Sequence, residues 1–195
     1  MKKIILIATV INFAWACNNS STDSVQKADS ANESRRDSNA GSNGKAAIAV
    51  DKETSDFLVR AMNGGIMEVA LGNIADQKAK SERVKAFGEM MIKDHEAANN
   101  KIKDLAAART VELPPRVSDK NAEMMKKVNE STLEKFDRTY IDMMVDDHKE
   151  DIKEFEEAGN KINDTEVRQF INNTLPVLRK HLDSCTAIQQ ELKKL

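Results

Sequence analysis

From residue 51 onward, apolar side chains return every three or four positions, the period of a helix with one buried face. The first such run covers 51–79, with Phe57, Ala61, Gly64, Leu71 and Ala75 on one stripe. The second opens at Ser81 and runs to about 108 through Val84, Phe87, Met91, Ala98, Ile102 and Leu105. The segment "TVELPPRV" then breaks the chain, and Ser118 caps a short helix expected over 118–129. A third long run, 132–159, carries Leu133, Phe136, Tyr140, Met144, Ile152 and Phe155, with Gly159 as its expected stop. The fourth, 164–193, carries Val167, Phe170, Leu178, Cys185, Ile188 and Leu192, and Pro176 inside it predicts a kink. No strand-like alternation interrupts these runs. Four long amphipathic helices bury such stripes against one another, so the pattern predicts an all-α four-helix bundle with a short extra helix in its second connection. A short helix of about 18 Å plus about 36 Å of extended chain can span a helix of about 42 Å, so the second and third long helices can run parallel.

The stripes have four ionisable exceptions. Glu68 sits on the first, His95 on the second, His148 on the third and His181 on the fourth. Each lies within about one turn of its helix's midpoint, so all four should meet at one height in the core. The chain has only three histidines, and two of them close near-copies, "MMIKDH" at 90–95 and "MMVDDH" at 143–148. A buried carboxylate without a partner costs several kcal/mol or takes up a proton. Either a divalent cation or a histidinium removes that cost, so the pattern fits a metal site or a hydrogen-bonded core network. Met91 and Met144 lie four residues before the two histidines and read as core filler or thioether ligands. Asp94 and Asp147 flank the imidazoles and can orient them, ligate directly or face water. Cys185, one turn after His181, reads as a small buried hydrophobe, with a thiolate ligand as the lesser alternative. Gly65 and Gly72 straddle Glu68 and open space beside it or let another helix approach.

The N-terminus follows different rules. Lys2 and Lys3 precede the apolar run "IILIATVINFAWA", which is short for a membrane span and ends at Ala16, directly before Cys17. "AWAC" resembles a bacterial lipobox. The expectation is a lipoprotein signal peptide over 1–16, an acylated Cys17, and attachment to an envelope membrane through lipid chains that contribute about 0.8 kcal/mol per buried CH₂. Asn18 favours the outer membrane. Residues 18–50 are rich in Ser, Asn and Ala and lack aromatics, which predicts a flexible stalk with a span of about 30 Å. The bundle then occupies 51–195. The formal charge of −2 turns more acidic once Lys2 and Lys3 are removed, which argues against a nucleic-acid partner.

Together "MEVALGNIA" (67–75), "MMIKDHEAANNKIKDLA" (90–106), "KFDRTYIDMMVDDHKEDIKEFE" (135–156) and "LPVLRKHL" (175–182) resemble domain-of-unknown-function family 4142. The resemblance implies a ferritin-like four-helix bundle in the bacterial envelope and no known reaction. Carried over by motif are Glu68, Asp94, His95, Asp137, Tyr140, Asp147, His148 and His181. Ferritin-like di-metal proteins place a Glu three residues before a His on two helices. Here those positions hold Ile92, Val145 and Leu178. The sequence therefore favours one ion, held by three imidazoles and Glu68, with Tyr140, Asp94 and Asp147 in reach. Such a donor set suits Zn, Fe, Mn or Cu. Three function classes stay open: a metal-binding envelope protein, a structural or protein-interaction lipoprotein without metal, and a metal-dependent oxidoreductase.

Overall fold

The computed structural model describes residues 22–40 and 50–194. It is all-α: α1 (Ser24–Ala40), α2 (Lys52–Lys78), α3 (Glu82–Ala108), α4 (Asp119–Asn129), α5 (Phe136–Lys161) and α6 (Thr165–Leu192). No helix among the described residues is long and apolar enough to cross a membrane. The signal segment and Cys17 lie outside the described residues.

Local chemistry sets the helix ends. Asp51 accepts from Thr54 N at 2.7 Å, Ser118 from Asn121 N at 3.2 Å, and Asp164 from Glu166 N and Val167 N at 3.1 Å each. Each side chain satisfies backbone donors that the first helical turn leaves free. Ser81 makes no such side-chain bond at α3. Asp137 on α5 instead fastens the chain just ahead of α3, accepting from Lys80 N and Ser81 N at 3.0 and 2.8 Å. Two expectations change here. The third long helix starts at Phe136, leaving Leu133 in a turn, 53% exposed. It also continues past Gly159 to Lys161. The fourth long helix, α6, carries Pro176 inside it, as the sequence places it.

The apolar core falls into two halves. One gathers Phe57 and Leu58 of α2, Ile102 and Leu105 of α3, Phe155 of α5 and Phe170 of α6. The other gathers Leu71 of α2, Phe87 and Met91 of α3, Tyr140 and Met144 of α5, and Cys185 of α6. Both α3 and α5 therefore start in the second half and end in the first, while α2 and α6 run the other way. Since α3 and α5 are parallel, the chain between them must return along the bundle. It does so from Val111 in the first half to Val117 and Val128 in the second. Where α2 meets α3, Gly72 and Gly88 face each other. A Cβ on Gly72 would lie 2.7 Å from Gly88 O, and one on Gly88 would lie 2.9 Å from Gly72 O. Only glycine allows that approach.

The flexible-stalk expectation is corrected over Ser24–Ala40. Asp23 caps α1 through Val25 N at 2.9 Å. Ser24 Oγ donates to Arg116 O and Val117 O, at 2.8 and 3.0 Å. Asn32 donates to Glu112 O at 3.0 Å and accepts from Glu112 N at 2.7 Å. Arg36 donates to Ser55 Oγ at 2.7 Å, and Ala28 is buried against the first core half. The segment is held by hydrogen bonds to backbone that would otherwise face water, with little apolar burial.

Candidate metal centre

Between the two core halves lies one polar layer. Glu68 follows Met67 on α2, His95 sits one turn beyond Met91 on α3, and His148 one turn beyond Met144 on α5. On α6, His181 lies between Leu178 and Cys185. All four side chains are buried, and Glu68, His148 and His181 are at most 1% exposed. The four helices thus bring together the four residues singled out from their stripes.

Hydrogen-bond partners fix the imidazoles. His95 Nδ1 lies 2.7 Å from Glu68 Oε2. His148 Nδ1 lies 3.0 Å from Met144 O, a group that only accepts. His181 Nε2 lies 3.0 Å from Asp94 Oδ2. In each ring one nitrogen faces an acceptor and therefore carries the proton in the neutral form. The other nitrogen is then a bare lone pair. For His95 this is Nε2, which is buried and has no partner. For His148 and His181 they are Nε2 and Nδ1, which face each other at 3.3 Å. Two lone pairs at that distance repel unless a proton or a cation lies between them. A ring nitrogen from each of the three histidines lies within 4.8 Å of the others. Glu68 Oε1 is 3.5 Å from His148 Nε2 and receives no bond from an N–H or alcohol.

The electrostatics follow from burial. Burial pushes the Glu68 carboxyl up, but His95, His148 and His181 override it and bring it down to about 2. Burial lowers His148 below its usual range, against the pull of Glu68. Burial lowers His181 to about 4, with Asp94 opposing. Both rings are therefore neutral at neutral pH. The Tyr140 hydroxyl is buried without a partner and is raised by burial, then by Glu68. Burial pushes the Cys185 thiol up to about 12, which leaves it a protonated core side chain.

The remaining expected residues separate. Asp94 orients His181 and also lines a groove of about 470 Å³ between α3 and α6, with Lys101, Glu166 and Asn173, so solvent comes within one carboxylate of the imidazole. Asp147 stands with Glu68 and His148 in a second group of close donor atoms. Met91 and Met144 are packed in the second core half, and Met144 acts through its carbonyl. Asp137 lies away from the layer, holding the backbone of Lys80 and Ser81 ahead of α3.

Two residues escaped the sequence reading. Asp151 is partly buried, and burial together with Glu68 and Asp147 raises its carboxyl well above the usual range. It lies three residues after His148, so the i, i+3 rule applied forward would have found it. Asn99, one turn after His95, is buried with Oδ1 unpartnered. A Cβ on Gly65 would run into its side chain, which explains that glycine.

A family model described as "Domain of unknown function (DUF4142)" matches residues 39–188. The chain belongs to this family. No curated protein and no solved structure matches it. The DUF4142 match spans α2 to α6 almost entirely and includes every residue of the polar layer.

Proposed function

We infer that this DUF4142 protein is a bacterial envelope lipoprotein whose ferritin-like bundle binds a transition-metal ion through His95, His148 and His181, with Glu68 beside them. The observation that carries the reading is the set of three imidazoles. Each is tied through one nitrogen to Glu68, Met144 O or Asp94 and offers the other nitrogen to a common space. Partners of this kind fix tautomer and orientation in histidine metal sites. The orphaned His95 Nε2 and Glu68 Oε1 are buried donors that an ion would satisfy. Imidazole-rich sites suit Zn²⁺, Fe²⁺, Mn²⁺ and Cu²⁺. Attachment through Cys17 rests on the lipobox alone, as does the outer-membrane location.

The test is a calorimetric and thermal-shift titration with each ion. A bound ion stabilises the fold by about 2.7 kcal/mol at one hundred times its dissociation constant. His148→Ala should abolish the rise in melting temperature, and Lys149→Ala, at an exposed neighbour, should leave it intact. A competing reading has its own support. The 2.7 Å His95–Glu68 contact can stand as a histidinium–carboxylate pair inside a structural core. Absence of any binding that depends on these histidines would favour that reading.

A further inference from the structure

An ion bound at the imidazoles needs a way in, because apolar core closes the layer above and below. That leaves the four seams between neighbouring helices. Three of them are bridged by contacts that flank the layer. On the α2–α3 seam, Gly72 meets Gly88 on one side of Glu68, and Gly65 meets Asn99 on the other. On the α2–α5 seam, Asp151 stands beside Gly64, Arg60 bonds Glu154 at 2.6 Å, and Val128 of α4 packs into the second core half. On the α5–α6 seam, Arg179 bonds Glu156 and Gln189 bonds Asp142, at 2.8 Å each.

The α3–α6 seam differs. Its groove of about 470 Å³ runs along α6 from Glu166 to Val177, a length of about 16 Å, and Asp94 stands at its layer end. A divalent ion with six waters, at about 30 Å³ each, needs about 180 Å³ and fits. Oxygens of Asp94, Glu166, Gln169 and Asn173 line the way, against the single positive charge of Lys101. A second groove, between α2 and α3, is larger at about 630 Å³, but no residue of the polar layer lines it. Where the first groove meets the layer, one ring bars the path. The Asp94 side chain is 27% exposed, and the His181 side chain behind it is fully buried. His181 donates through Nε2 to Asp94 and turns Nδ1 toward His148 Nε2, so its ring stands between the groove and the space the imidazoles share. Turning the ring breaks its 3.0 Å bond to Asp94, and a cation held by Asp94 replaces that bond.

We propose that the α3–α6 groove is the entry route of the ion, with Asp94 as the carboxylate that receives a hydrated divalent cation and the His181 ring as the gate it passes. The proposal rests on the imidazole reading above and adds how that site is filled. A route sets rates and leaves the equilibrium alone, since plugging it raises the barrier equally in both directions.

Stopped-flow mixing of the full chain, solubilised in detergent, with Co²⁺ follows uptake through the visible absorption of the imidazole-bound ion, and a chelator chase follows release. Ala97→Trp fills the groove from α3 and should slow uptake and release by about tenfold each, with Kd kept within about twofold. Asn173→Trp fills it from α6 and should act alike, and a circular-dichroism melt verifies that both variants are folded. Ala70→Trp, in the α2–α3 groove, should leave both rates at wild-type values. Asp94→Asn can still accept from His181 but lacks the charge, so uptake should be slower than in wild type and fall less steeply with added salt. Unchanged rates in both plugged variants, with the ion still bound, would overturn the route and leave the imidazole site standing. Equal slowing by Ala70→Trp would overturn it too, because the ion would then enter by a general opening of the bundle. A wild type that binds no Co²⁺ would sink the imidazole reading and the route together.

Discussion

Asp151 and His181 show how burial sets opposite pH signatures within one layer. The Asp151 carboxyl is raised well above 3.8, first by burial and then by Glu68 and Asp147. A raised folded-state value gives stability that is complete below the unfolded value and is lost as pH rises through the folded one. Asp151→Asn cannot ionise, so the metal-free variant should be more stable than wild type at neutral pH. Its advantage should vanish below about pH 3.8. His181 behaves in the reverse sense. Burial lowers it from 6.5 to about 4, so its contribution is complete above 6.5 and is lost as pH falls toward 4. His181→Gln should flatten that acid limb. Urea denaturation across a pH series reads both effects, and equal stability of Asp151→Asn and wild type at every pH would mean that Asp151 is solvated. Glu68 and the histidines were visible in the sequence because an ionisable group on an apolar stripe stands out. Asp147 was noticed only as the neighbour of His148, and Asp151 was missed, because each lies just off the stripe, where acids usually face water.

The helices differ in how their small residues are used, and alanine separates the roles. Gly72 meets the backbone of α3, since its Cβ would approach Gly88 O to 2.7 Å. Backbone cannot rotate away, so Gly72→Ala should push α2 from α3 and cost about 1–3 kcal/mol, beyond the helix-propensity gain. Gly159 stands inside α5, where a Cβ would meet Ile171 Cγ2 at an ordinary 3.4 Å. Gly159→Ala should therefore stabilise by about 0.5–1 kcal/mol. Chemical denaturation of the two variants should move in opposite directions, and a Gly72→Ala protein as stable as wild type would refute the close crossing. The same contrast marks what periodicity can read. It located the long helices to within a few residues, because their stripes bury large apolar areas. It misplaced the end of α5 because a glycine signal was taken as a stop where packing against Ile171 carries the helix onward. It passed over α1 because the composition argument counts apolar area, and α1 is held through Ser24, Asn32 and Arg36.

For the whole molecule, the docked α1 changes what the N-terminus does. A stalk over 18–50 would let the bundle roam tens of ångströms from a lipid anchor at Cys17. With α1 fastened to α2 and to the returning chain before α4, only residues 18–23 separate Cys17 from a helix fixed on the bundle. Fully extended, the step from Cys17 to Ser24 reaches at most about 25 Å. The bundle, and with it the groove that leads to Asp94, would be kept close to the membrane surface. Asn32 is the residue to change, because its amide both donates to and accepts from the Glu112 backbone. Asn32→Ala removes both bonds and leaves two backbone groups to find water, at a cost of about 1–3 kcal/mol to α1 docking. The full chain, expressed in bacteria and reconstituted in vesicles, can be labelled on the exposed α6 position Lys180 after its change to Cys. Energy transfer to acceptors in the bilayer then reports the height of the bundle. Wild type should give high transfer, and Asn32→Ala lower transfer with a broader distribution. Cys17→Ser should abolish transfer by releasing the protein. Equal transfer with and without Asn32 would mean that α1 does not set the height, and transfer that survives Cys17→Ser would remove the lipid anchor itself.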